Sequence, residues 1–195
     1  MRARLAVFFA ILTPAAPLPA QWHVGVEVAA TRYGGTSRAL SDTAPTLQPG
    51  AATMFAVRLD RRFGRWGVVV RAAAGNPGLR AWIADFALED RSDGSAIEPS
   101  AAVTYRVGGI GPSGAVWVEV GPALPLWDID GDIRSRWGAL GAVTYEWTVA
   151  GRFRGAVRVD GLVSPSWFEP GDLPDELERR TTWRYGVGLG LRYRL

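Results

Sequence analysis

Cysteine and lysine are absent from the sequence, and histidine occurs once, at His23. Without cysteine, the chain can be neither a lipid-anchored lipoprotein nor a small secreted domain held by disulfide bonds. A single histidine and no cysteine also leave no His, Cys and carboxylate cluster for a metal ion, so we expect no metal and no cofactor. All 22 basic residues are arginines. Because they alternate with apolar residues instead of forming a basic face or tail, we expect no nucleic-acid partner.

Long apolar runs are also missing after Ala20. A membrane-spanning helix needs about 20 apolar residues, and the longest such run, residues 5–12, is too short. It follows two arginines and leads through a segment rich in proline and alanine to Ala20. This layout predicts a secretory signal peptide over residues 1–20, cleaved after Ala20, and a mature domain over 21–195. Without spanning helices, a chain can cross a membrane only as a closed barrel.

The end of the chain, Trp183–Leu195, alternates strictly between two kinds of residue. Every second residue is aromatic or aliphatic, and the residues between them are arginine or glycine. The outer face of a strand in a soluble sandwich carries mixed small polar residues instead. A strand between lipid and a crowded polar lumen has the observed pattern. The segment therefore predicts the closing strand of a membrane β-barrel.

Seven further segments show the same period of two. They cover residues 22–31, 54–63, 66–73, 101–107, 116–121, 137–149 and 153–163. Between the strands, long connections (34–50, 75–96, 127–133 and 165–180) alternate with short ones (63–65, 108–114 and 150–152). Long outer loops and short periplasmic turns are typical of outer-membrane barrels. The expected fold is all-β: a closed antiparallel up-and-down transmembrane β-barrel of about eight strands, in which the closing strand pairs with the first and seventh.

Residues 79–88 have strand or short-helix character of their own. A ninth spanning strand would conflict with the even strand numbers of single-chain bacterial barrels. We therefore interpret this segment as an extension of the third strand or as part of a long outer loop.

Aromatic residues lie near the ends of the predicted strands. Two such belts are typical of the membrane interfaces, although aromatic residues of an ordinary core would be the alternative. The expected lipid-facing girdle comprises Trp22, Trp66, Tyr105, Trp137, Trp147, Phe153, Trp183 and Tyr193. The same belts are expected to include Tyr33 and Phe63, which lie at strand ends, and Trp167 of the last loop.

Eight strands enclose an interior that side chains just fill. The inward residues that we expect to form a polar lumen network are Glu27, Arg58, Asp60, Arg62, Arg71, Arg106, Glu119, Glu146, Arg154, Arg158, Asp160, Arg192 and Arg194. Five acids facing eight arginines predict a plug of ion pairs, and the excess of arginine leaves a narrow anion-preferring path as the alternative. For the arginines of the closing strand (Arg184, Arg192 and Arg194), the candidate partners are Glu27, Asp160 and Glu146.

With this pattern, the mature region resembles the small eight-stranded outer-membrane proteins of the OmpA/OmpX type and, more loosely, the OmpW-like family. The closing strand resembles the terminal signal that the outer-membrane assembly machinery reads, which usually ends in Phe, whereas this chain ends in Leu195 with Tyr193 two residues earlier. The resemblance implies a monomeric protein of the bacterial outer membrane. Its expected partners are membrane lipid, lipopolysaccharide and the assembly machinery.

Barrel enzymes of this architecture carry histidines that this sequence lacks. The lipid A deacylases use a His-x-Ser pair that faces the bilayer, whereas His23 is followed by Val24 and Gly25 and has inward parity. The barrel proteases need a histidine beside acids at the outer rim. We therefore expect no catalytic residues and interpret His23 as structural. A lipid A-modifying enzyme remains the least favoured function.

Residues 127–132 (WDIDGD) are similar to a calcium loop but lack its downstream glutamate. We expect a solvated loop, with a weak divalent site near lipopolysaccharide phosphates as the alternative. For the whole chain, the sequence predicts an outer-membrane barrel with a structural or surface-interaction role. The alternative is a porin-like narrow pore or transporter for small solutes. A soluble lipocalin-like barrel is disfavoured, since it needs an apolar interior and a polar exterior.

Overall fold

The computed structural model describes residues 21–39, 46–83, 86–90, 94–111, 113–129, 131–169, 173 and 177–195. The predicted signal peptide, residues 1–20, lies outside the described residues. No helix in the described part of the chain is long and apolar enough to cross a membrane.

The described residues form fifteen strands. In chain order they are β1 (Gln21–Gly34), β2 (Ser37–Ala39), β3 (Thr46–Pro49), β4 (Ala52–Phe63), β5 (Trp66–Gly75), β6 (Leu79–Ile83), β7 (Phe86–Asp90), β8 (Ser95–Gly108), β9 (Ala115–Ala123), β10 (Leu126–Ile129), β11 (Asp132–Ser135), β12 (Gly138–Ala150), β13 (Phe153–Ser164), β14 (Leu177–Arg179) and β15 (Thr182–Arg194).

Eight of these strands close into an antiparallel barrel in the order β1, β4, β5, β8, β9, β12, β13 and β15. Each pairs with the next along the chain, and β15 also pairs with β1 over twelve residue pairs, from His23 opposite Arg194 to Gly34 opposite Trp183. The predicted up-and-down barrel of eight strands is confirmed, as is the position of the closing strand between the first and seventh. The ends of these strands that the short turns join are called the short-turn end, and the opposite end is called the outer end.

Strict alternation places one side of each barrel strand outside and the other inside. On the outside, Val57, Val187 and Leu189 are 60%, 54% and 61% exposed. On the inside of β15, glycines face crowded neighbours: a Cβ on Gly188 would lie 2.9 Å from the Cβ of Ala29. A Cβ on Gly190 would lie 3.0 Å from Cγ of Glu27. Because these glycines have no side chain, the space inside the barrel next to β15 is filled by the longer polar side chains of other strands.

The seven short strands belong to the long connections at the outer end. β3, β6 and β7 form a three-stranded sheet, and β2 pairs with β14. β10 and β11 form a hairpin in which β10 pairs antiparallel with the first residues of β8. Residues 79–83 form β6 and residues 86–88 are part of β7, both separate from the barrel, so of our two interpretations the outer-loop one is correct. Residues 127–129 and 132 lie in the β10–β11 hairpin, where Asp128 and Asp132 are exposed as expected of a solvated segment, whereas Trp127 is buried.

Strand β8 starts at Ser95, six residues before the predicted start at Ala101. Pro99 and the polar segment before Ser95 are signals that normally end a strand. In the structure, Pro99 is tolerated within β8, where it stands opposite Ala72 of β5. The longer strand adds one carboxylate, Glu98, to the inner wall of the barrel.

An aromatic group covers the outer end of the lumen. This outer cluster consists of Tyr33, Ala96, Trp127, Trp167 and Phe168. Trp127 is 5.3 Å from the ring of Tyr33 and 5.7 Å from that of Trp167, between ring centroids. Tyr33 and Trp167 are only 7% and 1% exposed, so their assignment to the lipid-facing girdle is wrong. Tyr33 has the inward parity of His23 and Glu27, and Trp167 follows β13 in a connection that folds back over the lumen.

Candidate functional site

The lumen is the candidate site, and the structure locates each residue that the sequence placed there. Ten of the thirteen are buried: Glu27, Arg58, Asp60, Arg62, Arg71, Glu119, Glu146, Arg158, Asp160 and Arg192. The other three, Arg106, Arg154 and Arg194, lie at the short-turn end, where Arg106 is exposed and the other two are half-buried. The predicted set therefore divides into a buried group and a group of arginines at one mouth.

Arg58 stands at the centre of the buried group with a fully buried side chain. Its guanidinium donates to Glu27 at 2.9 Å, to Glu119 at 2.9 Å and, through Nε, to Asp60 at 3.0 Å. Glu119 also accepts a hydrogen bond from Arg158 of β13. Because Arg58 is on β4 and Glu119 is on β9, these contacts cross the lumen instead of following its wall.

Toward the short-turn end, Glu146 of β12 receives two arginines. Arg62 donates both terminal nitrogens to its carboxylate at 2.7 and 2.6 Å, and Arg192 forms a second ion pair with it. Arg192 also reaches Glu27 at 3.3 Å, and Arg71 donates to Glu27 at 2.8 Å. β4 and β12 are four places apart in a ring of eight strands, so the Arg62–Glu146 pair spans the barrel diameter.

Toward the outer end, Arg184 of β15 forms ion pairs across the lumen, as Arg62 does toward the short-turn end. It contacts Asp160 at 2.7 Å and Glu98 at 3.0 Å, and the Tyr33 hydroxyl donates to Glu98 at 3.0 Å. Arg158 lies 3.5 Å from Asp160 and joins this branch to the centre. β15 and β8 are also four places apart around the barrel, so Arg184 and Glu98 form a second connection across its diameter.

The lumen network is thus a set of six carboxylates and six guanidiniums. The acids are Glu27, Asp60, Glu98, Glu119, Glu146 and Asp160, and the arginines are Arg58, Arg62, Arg71, Arg158, Arg184 and Arg192. A buried charge without a partner is costly, and these charges balance. The predicted excess of arginine in the lumen lies instead at the short-turn mouth.

Sequence reasoning missed Glu98 as a lumen residue and left Arg184 out of the inward set, although the pairing of Arg184 with Asp160, one of the candidate partners, is confirmed. Glu98 shares its parity on β8 with Ala102 and Thr104, both buried. That parity is the signal that could have identified it, had the strand been extended past Pro99. For the closing strand, Arg192 pairs with two of the proposed partners, Glu27 and Glu146. Arg194 has no carboxylate partner among the described residues.

The aromatic residues of the expected girdle divide between exposed and half-buried positions. Trp22, Trp66, Trp137, Phe153 and Trp183 are 40 to 68% exposed on the outer surface of the barrel, and Tyr105, Trp147 and Tyr193 are half-buried. At the short-turn end, cross-strand neighbours pack together, with ring centroids 4.6 Å apart for Trp66 and Tyr105 and 5.0 Å apart for Phe153 and Tyr193. Amphipathic rings at the two ends of an apolar band suit the membrane interfaces.

Metal-binding side chains do not converge in the described residues. No group of three or more His, Cys, Asp or Glu residues is placed to hold a metal ion there. His23 is 1% exposed on the inner wall near the short-turn end, where it stands opposite Asp60 and Arg194 on the neighbouring strands. The arrangement in the lumen is suited to holding strands together by charge.

No protein-family model and no curated protein matches the chain. Among solved structures, the chain is similar to the outer membrane protein OprG of Pseudomonas aeruginosa, with a TM-score of 0.56 and 14% identity over 89% of this chain and 95% of that one. It also aligns with the N-terminal β-barrel domain of Pseudomonas aeruginosa OprF (TM-score 0.48, 13% identity, 88% and 97% covered). A third match is Ail, the attachment invasion locus protein of Yersinia pestis (TM-score 0.46, 12% identity, 89% and 98% covered). The likeness to OprG shows the fold, which is that of an outer-membrane β-barrel.

Proposed function

We propose that this chain is a monomeric protein of the bacterial outer membrane whose lumen is plugged and whose role is structural or one of surface interaction. The observation that carries the proposal is the pair of connections across the lumen, Arg62–Glu146 and Arg184–Glu98. Arginine forks that meet carboxylates in a buried setting hold both groups in fixed geometry. A lumen crossed at two heights and covered by the outer cluster leaves little room for a solute.

The membrane location is supported by the outer surface of the barrel. Large apolar side chains such as Val70, Val120 and Leu189 are 60 to 65% exposed there. Soluble monomers rarely expose such a continuous apolar band. The chain would contact lipid around the barrel and lipopolysaccharide at the outer end, after export by the signal peptide and assembly through its C-terminal strand.

The interaction role is supported by the strands that the long connections form at the outer end. Two small sheets and a hairpin organise the described parts of the long connections there: the β3–β6–β7 sheet, the β2–β14 pair and the β10–β11 hairpin, which extends the barrel sheet. These strands form a structured surface at the outer end of the barrel, which suits contact with lipopolysaccharide or a partner protein. Catalysis has no place in this proposal, because the single histidine lies on the inner wall at the opposite end.

Single-channel recording in planar bilayers tests the plugged lumen. The refolded protein is expected to insert without resolved openings. Steady, resolved openings of uniform size would overturn the plug and support the alternative function, a narrow pore for small solutes. A variant with Arg62, Glu146, Arg184 and Glu98 all changed to alanine removes two of the connections across the lumen. Once heat-modifiable migration shows that it is folded, it should open more often than the wild type.

A further inference from the structure

A cavity of about 220 Å³ opens at the short-turn end of the lumen. His23, Arg62, Arg106, Trp117 and Arg154 contribute to its wall. It lies below the Arg62–Glu146 pair, on the side away from the outer cluster. This position separates it from the centre of the lumen network.

Two arginines at this cavity have no acidic partner among the described residues. Arg106 and Arg154 form no ion pair within the part of the chain that the structure describes, and neither does the neighbouring Arg194. The sequence offers none either, since not one of the 19 acidic residues falls in the three short turns. Two carboxylates of the lumen network contact Arg62, but Glu146 is already shared with Arg192 and Asp60 with Arg58. The wall therefore lacks an anion.

Hydrogen-bonding groups at the same cavity also lack partners. Trp117 Nε1, His23 Nδ1 and Arg62 Nε are buried and have no hydrogen-bond partner. Trp117 is 5% and His23 is 1% exposed. An indole N–H and a guanidinium can only donate, so what they lack is an acceptor. The guanidinium of Arg62 lies 4.2 Å from the ring of Trp117, which holds the indole in place.

We propose that the short-turn mouth is a binding site for a phosphate-type oxyanion. Arg106 and Arg154 supply the charge, and Trp117 and Arg62 supply N–H groups that have no other partner. Guanidiniums bind phosphate through two parallel hydrogen bonds, which suits two arginines that face one cavity. At roughly 30 Å³ for each water in the liquid, the cavity volume admits one phosphate group with a few waters and excludes a folded polymer.

The phosphate group has two sources that the site would recognise alike: free phosphate in the periplasm, or the head group of a phospholipid in the adjacent leaflet. Both follow if the short turns face the periplasm, as they do in outer-membrane barrels. The site itself does not depend on whether the lumen is plugged, so binding and conductance can be tested separately.

The test is a titration followed at the tryptophan side chains. The full mature chain is refolded in a maltoside detergent without phosphate and labelled with ¹⁵N at its indole nitrogens, and Trp117→Phe identifies the resonance of Trp117. Inorganic phosphate is added at constant ionic strength set with chloride. We expect that one resonance to shift saturably. A shift that chloride alone reproduces, or no saturable shift, would overturn the site.

Charge variants make the test specific. Arg106→Gln combined with Arg154→Gln removes two charge-assisted hydrogen bonds, so the apparent Kd should rise by about tenfold or more. The matched control is Arg61→Gln at the same end, because Arg61 lies on the outer surface against Trp22 and Phe63, 5.2 and 5.0 Å from their ring centroids. It should change the apparent Kd by no more than about twofold. An equal loss in the control would mean general attraction to a basic surface and would contradict the proposal. Heat-modifiable migration on a detergent gel checks that the double variant is folded before its binding is compared.

Two further arms of the experiment identify the source of the phosphate. In bilayer nanodiscs that contain phosphatidylglycerol, a Trp117 resonance already shifted without added phosphate indicates a lipid head group. A resonance that moves only when phosphate is added indicates the free anion. If the resonance moves in neither case, the proposal is wrong.

Discussion

Arg62 of β4 donates both of its terminal nitrogens to the carboxylate of Glu146, which stands on β12 at the opposite side of the barrel. The two residues are 84 positions apart in the chain, and Glu146 is fully buried. Strands of a barrel are held to their neighbours by backbone hydrogen bonds. The Arg62–Glu146 ion pair links two strands that are not neighbours, and it resists flattening of the barrel.

Glu146→Gln should therefore destabilise the protein strongly. The change keeps the size of the side chain but leaves the guanidiniums of Arg62 and Arg192 without their shared carboxylate. Removal of one partner of a buried ion pair costs about 3–5 kcal/mol. The free energy of unfolding, measured by urea titration in lipid vesicles, gives the size of the effect.

The exposed pair of Glu178 and Arg180 at the outer end is the matched control. Its nitrogen and oxygen atoms are 2.8 Å apart, but the two side chains are 49% and 45% exposed. Surface pairs contribute about 0–1 kcal/mol, so Glu178→Gln should leave the free energy of unfolding nearly unchanged. A loss below about 1 kcal/mol in Glu146→Gln as well would mean that the lumen network does not stabilise the barrel.

Trp167→Ala should loosen the outer end without unfolding the barrel. Trp167 is 1% exposed, lies 5.7 Å from the ring of Trp127 and 4.0 Å from that of Phe168, and belongs to no barrel strand. Large-to-alanine changes of a buried aromatic residue cost about 3–5 kcal/mol. Because the cost falls on the connections, we expect faster proteolysis of the outer loops in intact vesicles, with heat-modifiable migration retained. Trp137→Ala, at a position 68% exposed on the outer surface, should leave proteolysis unchanged. Equal cleavage in both variants would contradict a packing role for the outer cluster.

Heat-modifiable migration of the wild-type chain provides a test of the membrane barrel itself. A closed barrel whose neighbouring strands form six to twelve residue pairs should resist detergent at room temperature and change its mobility on boiling. Membrane fractionation should recover the chain with the outer membrane. Recovery from the aqueous periplasm, together with no mobility shift, would contradict the membrane assignment.

Alternation along the sequence was enough to predict which side of the barrel most residues face. Period-two patterning needs no knowledge of partners, so Glu27, Arg58 and Glu119 could be placed inside from their neighbours alone. Partner choice across the lumen could not be predicted, because it depends on strand tilt and on the length of each side chain. Arg62 and Glu146 illustrate this limit, since nothing in their local sequence connects them.

The errors at the outer end have a different cause. Pro99 concealed the first part of β8 and with it Glu98, the carboxylate that pairs with Arg184 across the lumen. Tyr33 and Trp167 were placed at the correct height but on the wrong side. Trp167 lies in a connection, where no alternation exists to define a direction. Packing of connections over the barrel end is a tertiary effect that local pattern does not contain.

Val187→Arg is the sharpest test of the lipid-facing surface. Val187 lies midway along β15, on the outer side, and is 54% exposed. An arginine at the bilayer midplane of a barrel costs about 2–4 kcal/mol, which urea unfolding in vesicles measures. Ile133→Arg, in the β10–β11 hairpin at a position 73% exposed, replaces an aliphatic side chain outside the barrel and should cost less than about 0.5 kcal/mol.

Gly188→Ala should also destabilise the barrel, but by crowding, because the new Cβ would lie 2.9 Å from the Cβ of Ala29. The effect of Val187→Arg should shrink in short-chain detergent micelles, where arginine reaches water easily, whereas crowding at Gly188 should persist there. Equal costs for Val187→Arg and Ile133→Arg in vesicles would show that Val187 does not face lipid.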